Sequence, residues 1–351
     1  MAKKKSFFSK VITSFFIVFL LAVGFGGWFV YQNLFKNNVQ LNGKNSDFLY
    51  VRSHFTYDDL INEIKEQGII ANINSFNWLA RRMKLDKEFK PGRYRITSKM
   101  NNRQIINLLK SGKQELVTLN FNYTDRTNEQ LIEKISDKLE ISKNELEVFF
   151  DDEEKLKELG FTKENIRALF LPNKYELKWN TQLDEFIDLV KKEYDFFWTE
   201  ERRNKAKKLN YSEPEVITLA SIVQCESNLK SEQIKIAGVY LNRIKKNMEL
   251  QADPTLIFAT GNFNTRRVLN ADKKVDSPYN TYKNKGLPPG PICLPFKQAI
   301  DAVLNHEKHS YIFFCAKPEL NGYSNFSTTY AEHKKYADLY QREMNRRGIK
   351  R

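Results

Sequence analysis

The stretch Ser212-Glu-Pro-Glu-Val-Ile-Thr-Leu-Ala-Ser-Ile-Val-Gln-Cys-Glu-Ser-Asn228 decides how the rest of the chain is read. Ser212 and Glu215 have the spacing of a capping box. Pro214 falls in the first turn, where a missing N–H leaves nothing unpaired. Val216, Leu219, Ala220 and Val223 recur at the helical period. Ile217 and Ile222 widen that stripe until most of the circumference is apolar, so the pattern predicts a helix buried in a core. At steps of about 100° per residue, Glu226 falls between Ile222 and Leu219, on the buried side. A buried carboxylate is costly unless it is paired or neutral, which points to a use for Glu226. A second reading ends the helix near Val223 and leaves Glu226 in water, and the segment alone does not separate the two.

Working outward, 351 residues give room for two domains and a tail. The chain carries 57 Lys+Arg against 43 Asp+Glu, a formal net charge of +14. Such an excess suits an anionic partner: nucleic acid, phospholipid head groups or a carboxylated cell-wall polymer. The basic residues are scattered and no nucleic-acid motif is present, which argues against nucleic acid. Cys225, Cys293 and Cys315 are far apart and odd in number, so neither a zinc site nor a disulfide framework is signalled.

Lys3, Lys4, Lys5 and Lys10 precede an uncharged run from Val11 to Tyr31. The run has the length needed to cross a bilayer, with Trp28 and Tyr31 where aromatic residues anchor. The expected order is a cytoplasmic tail (1–10), a transmembrane helix (11–31), a polar linker (32–47) and the remainder outside. A cleaved signal peptide and a core helix are the other readings of the same run.

A small β-α-α-β unit is expected over 48–114. Its parts are strand 48–51, a helix capped by Thr56 and Asp59 that ends at Gly68, helix 76–83 and strand 93–97. Asn101 then caps a further helix, closed by Gly112. The second domain, 115–351, opens on an alternating strand, 116–121, with amphipathic helices at 127–139 and 143–151. One long helix is expected over 183–209. A helix with Ile234, Ala237, Leu241 and Ile244 on its inner face follows Glu226. A Gly/Pro/Asn-rich loop spans 262–291, then come helix 296–305, a buried strand 311–315 and a basic helix 328–346.

Leu-Ala-Ser-Ile-Val-Gln-Cys-Glu-Ser at 219–227 resembles the catalytic helix of the YceG-like (MltG) endolytic murein transglycosylases. Gln251-Ala-Asp-Pro-Thr255, Tyr279-Asn-Thr-Tyr282 and Gly286-Leu-Pro-Pro-Gly-Pro-Ile292 resemble further blocks of that family, in the same order and spacing. Leu169-Phe-Leu-Pro172 with Tyr175 also fits, and Phe326–His333 fits more loosely. The resemblance implies an α+β protein with a single N-terminal transmembrane helix. It further implies a LysM-like β-α-α-β subdomain and a mixed α+β catalytic domain built on a buried catalytic helix. The implied setting is the inner membrane, single-pass, with the N-terminus cytoplasmic and the catalytic domain periplasmic. Implied partners are peptidoglycan glycan strands and the membrane itself, with cell-wall synthases as candidates. No cofactor or metal is implied.

The implied reaction cuts the bond between N-acetylmuramic acid and N-acetylglucosamine within glycan strands and closes a 1,6-anhydro ring. Most glycosidases use two carboxylates, whereas these enzymes manage with one. That acid must be protonated when substrate binds, so its pKa must be raised, as burial would do. Glu226 is the candidate. Many relatives carry Glu-x-Glu where this chain has Gln224-Cys225-Glu226; an essential first acid would make this chain inactive, and the second is taken as essential because Glu226-Ser227 resembles the Glu-Ser of lysozyme-like transglycosylase helices. Ser227, Gln251, Asp253, Tyr279, Asn280 and Tyr282 are candidate substrate-binding residues. Asp253 is read equally as a helix cap, and the 279–282 residues equally as loop anchors.

Cys225 and Cys293 belong to blocks expected to meet at the site, where buried free thiols are the first reading and a disulfide in an oxidising compartment the second. Three rival readings exist. Cys225 could act with His306 or His333 as a thiol hydrolase, His306 and His309 could hold a metal, or the chain could be an anchored glycan-binding scaffold without activity.

Overall fold

A computed structural model describes residues 2–265 and 268–348. Part of the expected tail (Met1 and the side chains of 2–10), Arg266 and Arg267 of the 262–291 loop, and residues 349–351 lie outside the described residues.

Helix α1 runs from Ala2 to Leu34. Within it, Val11–Gln32 has a mean hydropathy of 2.1 and none of it is buried. At 1.5 Å per residue its 22 residues reach roughly 33 Å, about a bilayer's hydrocarbon thickness. A core helix would be covered by its own protein, so that reading of the run is wrong.

The chain divides into two compact units: Met1–Val117 with Leu177–Asn180, and Thr118–Glu176 with Thr181–Arg351. In the first, strand β1 (Ser46–Val51) is followed by helices α2 (Tyr57–Glu66), α3 (Ile73–Arg82) and α4 (Leu85–Glu88), then strand β2 (Gly92–Thr97) and helix α5 (Asn102–Ser111). β1 and β2 pair antiparallel with Leu49 opposite Tyr94. Thr56 and Asp59 form the expected capping box on α2, and Asn101 and Gln104 form another on α5. Leu49, Val51, Leu60, Ile64, Phe76 and Leu79 meet Tyr94, Ile96, Ile105 and Leu109 in one core. α3 begins three residues earlier than expected because the Asn72 side chain accepts from Ser75 N.

The segment read as a linker is not a free spacer. Asn38 is buried and donates to Asn102 Oδ1 at 2.7 Å, while its own Oδ1 accepts from Asn72 N at 2.8 Å. Gly92 stands at φ +146°, and a Cβ there would meet Gln114 Nε2 at 2.6 Å. That Gln114 side chain accepts from Trp179 N and donates to Asn180, closing the first unit.

All but the end residues Val117 and Leu177 of a two-stranded ribbon, β3 (Val117–Asn120) with β4 (Lys174–Leu177), belong to the second unit. Helices α6 (Asn128–Ser136), α7 (Lys143–Asp151) and α8 (Glu153–Glu158) lie between these strands in sequence. An aromatic cluster binds this region: Phe121 lies 5.4 Å from Phe170 and 5.7 Å from Tyr175, and Phe150 stacks on Phe170 at 5.8 Å.

The expected long helix is two helices, α9 (Leu183–Phe197) and α10 (Glu200–Lys208). Trp198 leaves helical geometry and is fully buried, and Thr199 caps α10 by accepting from Arg202 N. The local cap and the buried indole outweigh the continuous helical propensity of the sequence.

Helix α11 (Glu213–Glu226) then packs against α10, α12 (Lys230–Lys245), α13 (Asp253–Thr260) and α14 (Lys297–Leu304), and against a 3-10 turn at Ile166–Leu169. Strands β5 (Phe313–Ala316) and β6 (Ser324–Ser327) form an antiparallel hairpin beside helix α15 (Tyr330–Arg346). β5 is only half-buried, contrary to the buried strand expected there, because it pairs on one edge alone, with β6.

Candidate active site

The site starts from α11. Ser212 and Glu215 form the capping box, with Ser212 N donating to Glu215 Oε2 at 2.8 Å. Every residue from Val216 to Gln224 is buried. Two of the polar ones bond back to the helix: Thr218 Oγ1 donates to Pro214 O, and Ser221 Oγ to Thr218 O at 2.7 Å. Ser221 Oγ also accepts from Ile292 N at 3.0 Å, which seats the Gly286–Ile292 block on the helix. Gly290 in that block has no substitute of similar fit, since a Cβ would come within 1.9 Å of Glu164 O.

Glu226 is the last residue of α11, so the helix does not end at Val223. The residue keeps some accessible surface, while its carboxyl group sits deep among protein atoms. Burial, the largest effect, pushes the carboxyl up to about 7. The Tyr240 hydroxyl donates to Glu226 Oε1 at 2.7 Å and opposes that rise, and the negative charge of Asp253 adds to it.

Tyr240 comes from α12, whose inner face is not the expected one. Ile236, Ala237, Val239, Tyr240 and Arg243 are buried, with Glu232 and Gln233, whereas Ile234, Leu241 and Ile244 are half-buried. The apolar count misled because the buried side of α12 carries the polar groups that serve the site. Arg243 donates to Leu250 O at 2.6 Å and faces Gln251 Oε1 at 3.4 Å. These contacts hold a turn in which Gln251 takes φ +52° and its N–H donates to Thr281 O.

Asp253 is the first residue of α13; the cap position is Ala252, so Asp253 does not cap the helix by a side-chain bond. Its carboxylate accepts the Tyr282 hydroxyl at 2.5 Å. Burial and the charges of Asp253 and Glu226 raise the Tyr282 pKa, so it stays a neutral donor. Glu226, Tyr240, Asp253 and Tyr282 thus form one electrostatic cluster.

The other predicted residues are placed differently. Asn280 is fully buried, donates to Lys273 O and Val275 O, and accepts from Tyr282 N. It anchors the loop and has no amide group left for a groove. Tyr279 packs on Phe258 at 4.5 Å and accepts from Arg167, again as a loop anchor. Ser227 is the C-cap residue; its Oγ accepts from Leu229 N and its carbonyl from Gln233 Nε2. Gln251 is exposed.

Gln224 is buried with its amide on Asn228 Oδ1, away from the Tyr240 bond that distinguishes Glu226. Cys225 lies 3.2 Å from Cys293, sulfur to sulfur, rather than beside a histidine. His309 bonds Lys235 O and receives Tyr311 N, while His306 faces Val303 O and His333 stacks on Phe313. These histidines serve packing, which removes the thiol-hydrolase and metal readings. Tyr240 and Arg243 were missed from sequence; their signal was a tyrosine and an arginine spaced i, i+3 on the same helical stripe as Ile236.

Comparison with known proteins identifies the family. A model of the YceG-like family matches residues 49–338, which includes every block above. An endolytic murein transglycosylase of Bacillus subtilis is 30% identical over 333 residues, covering 90% of each chain. One from Streptococcus pneumoniae is 24% identical over 337 residues, covering 86% of this chain but only 60% of the relative. The crystal structure of a YceG-like protein from Listeria monocytogenes superposes with a TM-score of 0.54 at 26% identity, covering 84% of this chain and 99% of that one. With its sequence blocks, fold and near-complete coverage in agreement, the chain belongs to the YceG-like family.

Proposed function

We propose that this chain is an endolytic lytic transglycosylase of peptidoglycan, anchored in the membrane by α1, with Glu226 as its one acid–base residue. The observation that carries the reading is the Glu226 carboxyl, pushed to about 7 at the end of a buried helix. At neutral pH a large share of such groups holds a proton, which general acid catalysis needs. Glu226 gives that proton to the oxygen linking C1 of N-acetylmuramic acid to the next N-acetylglucosamine. The C1–O bond breaks and the leaving sugar departs as a free 4-hydroxyl. The Glu226 carboxylate, steadied by the Tyr240 hydroxyl, then takes the proton from the C6 hydroxyl of the same muramic residue. O6 closes on C1, the 1,6-anhydro ring forms, Glu226 is protonated again and no water is consumed.

Asp253 and Tyr282 line the approach as a hydrogen-bonded pair with Ser227 and Gln251 beside them, while Tyr279 and Asn280 hold the loop that carries Tyr282. The β-α-α-β part of the first unit is a LysM-like subdomain, and the N-terminus is cytoplasmic. In domain terms, 48–114 is that subdomain and 115–351 the catalytic domain.

Digestion of purified cell wall tests the reading. Fragments should end in 1,6-anhydro-N-acetylmuramic acid and come from within strands. Products heavier by one water would mean hydrolysis, and uncut wall would mean a scaffold; either sinks the proposal.

A further inference from the structure

We propose that Cys225 and Cys293 are an oxidisable dithiol, a covalent modification site that closes to a disulfide and fastens the end of α11 to the segment after Ile292. The two sulfurs stand 3.2 Å apart although the residues are 68 positions apart in sequence. A disulfide bond is about 2.05 Å long, so the sulfurs need to approach by only about 1.2 Å. The backbone around both is already fixed. Cys225 is in the last turn of α11, and the neighbour of Cys293, Ile292, is tied through its N–H to Ser221 Oγ. Cys293 Sγ also points at Ser221 O, at 3.4 Å, so both thiols converge on one turn of one helix. Neither thiol has a part in the acid–base chemistry proposed above.

Access sets the order of events. Cys225 is half-buried and Cys293 is buried. A small disulfide such as oxidised glutathione is attacked first by the Cys225 thiolate, which releases one glutathione thiolate. Cys293 then attacks the Cys225 sulfur of the mixed disulfide and expels the second glutathione. Two electrons pass from the protein thiols to the glutathione disulfide, and the two protons go to the released thiolates. The hydrogen bond with Cys225, together with burial, pushes the Cys293 thiol up, so the second step is slow. Cys315, on β5, is the third free cysteine and serves as an internal control.

The experiment uses the full chain in detergent, incubated for hours with excess oxidised glutathione, then alkylated, digested without reduction and analysed by mass spectrometry. The expected result is a cross-linked Cys225–Cys293 peptide lighter by two hydrogens. The unfolding midpoint should rise, dithiothreitol should reverse the rise and Cys225→Ser should not show it, since the cross-link restricts the unfolded chain. Glutathione resting on Cys225 beside a still-free Cys293, or a midpoint unmoved by cross-linking, overturns the proposal. The outcome is separate from that of the proposed function: cross-linking without wall digestion sinks only the latter, and digestion without cross-linking only the former.

Discussion

The Tyr240 hydroxyl donates to Glu226 Oε1 at 2.7 Å, and this bond works against the burial that raises the Glu226 pKa. A hydrogen bond to a carboxylate favours its charged form, and desolvation disfavours it. Burial is the larger effect, so the acid sits at about 7 instead of near its ordinary 4.5. The same bond helps the second half of the proposed reaction, in which Glu226 must act as a base.

Tyr240→Phe removes a bond that stabilises the Glu226 carboxylate, so its pKa should rise further. Activity that depends on protonated Glu226 should then persist to higher pH, the falling limb moving up by roughly one to two units, given ~1.5–3 kcal/mol for a hydrogen bond to a charge. Asp253→Asn removes a negative charge that raises the same pKa, so its limb should move down. The amide can still accept from Tyr282, so the local structure should hold. The pH dependence of wall digestion checks both, and shifts in the same direction for the two variants would contradict the scheme.

Glu226→Gln should cut turnover by roughly 100- to 10,000-fold, the usual worth of general acid catalysis. Its stability should depend on pH in a particular way. The folded carboxyl titrates near 7 and the unfolded one near 4.5. The stability linked to this raised pKa is fully present below about 4.5 and is lost as pH rises through about 7. The neutral amide escapes that loss. The variant should therefore match the parent at pH 4 and exceed it at pH 8, by on the order of 1–3 kcal/mol after allowing for the partial exposure of the residue. Urea denaturation at the two pH values measures this, and equal gains at both would contradict it.

Gly290→Ala should destabilise the second unit by at least ~2 kcal/mol, because the new methyl meets a backbone carbonyl, Glu164 O, that has little room to move. A denaturation midpoint unchanged from the parent would show that the loop relaxes freely.

A chain starting at Phe35 should stay in the supernatant after a high-salt wash, having lost the only membrane-length helix among the described residues. A chain starting at Asp47 should also be soluble but less stable, because it lacks Asn38 and Leu41, both buried in the first unit. Pelleting of either with membranes would require a second membrane contact.

By itself the sequence determined the parts whose signal is local. The Ser212 capping box, the apolar run to Val223 and the 3.6 period defined α11 and put Glu226 on its inner side, and the uncharged 11–31 run defined the exposed apolar helix. Caps and periodicity act within a turn or two, so they can be read without knowing the rest of the chain. Only the tertiary structure decided what surrounds Glu226. The face that α12 turns inward carries Tyr240 and Arg243, which no apolar count would choose. The break at Trp198 follows from where an indole finds a core. The meeting of Asp253 with Tyr282 and the approach of Cys293 to Cys225 are contacts between residues far apart in sequence. Such contacts depend on how helices pack, and the pKa of a carboxyl depends on everything within a few ångströms of it, which the order of residues along the chain does not state.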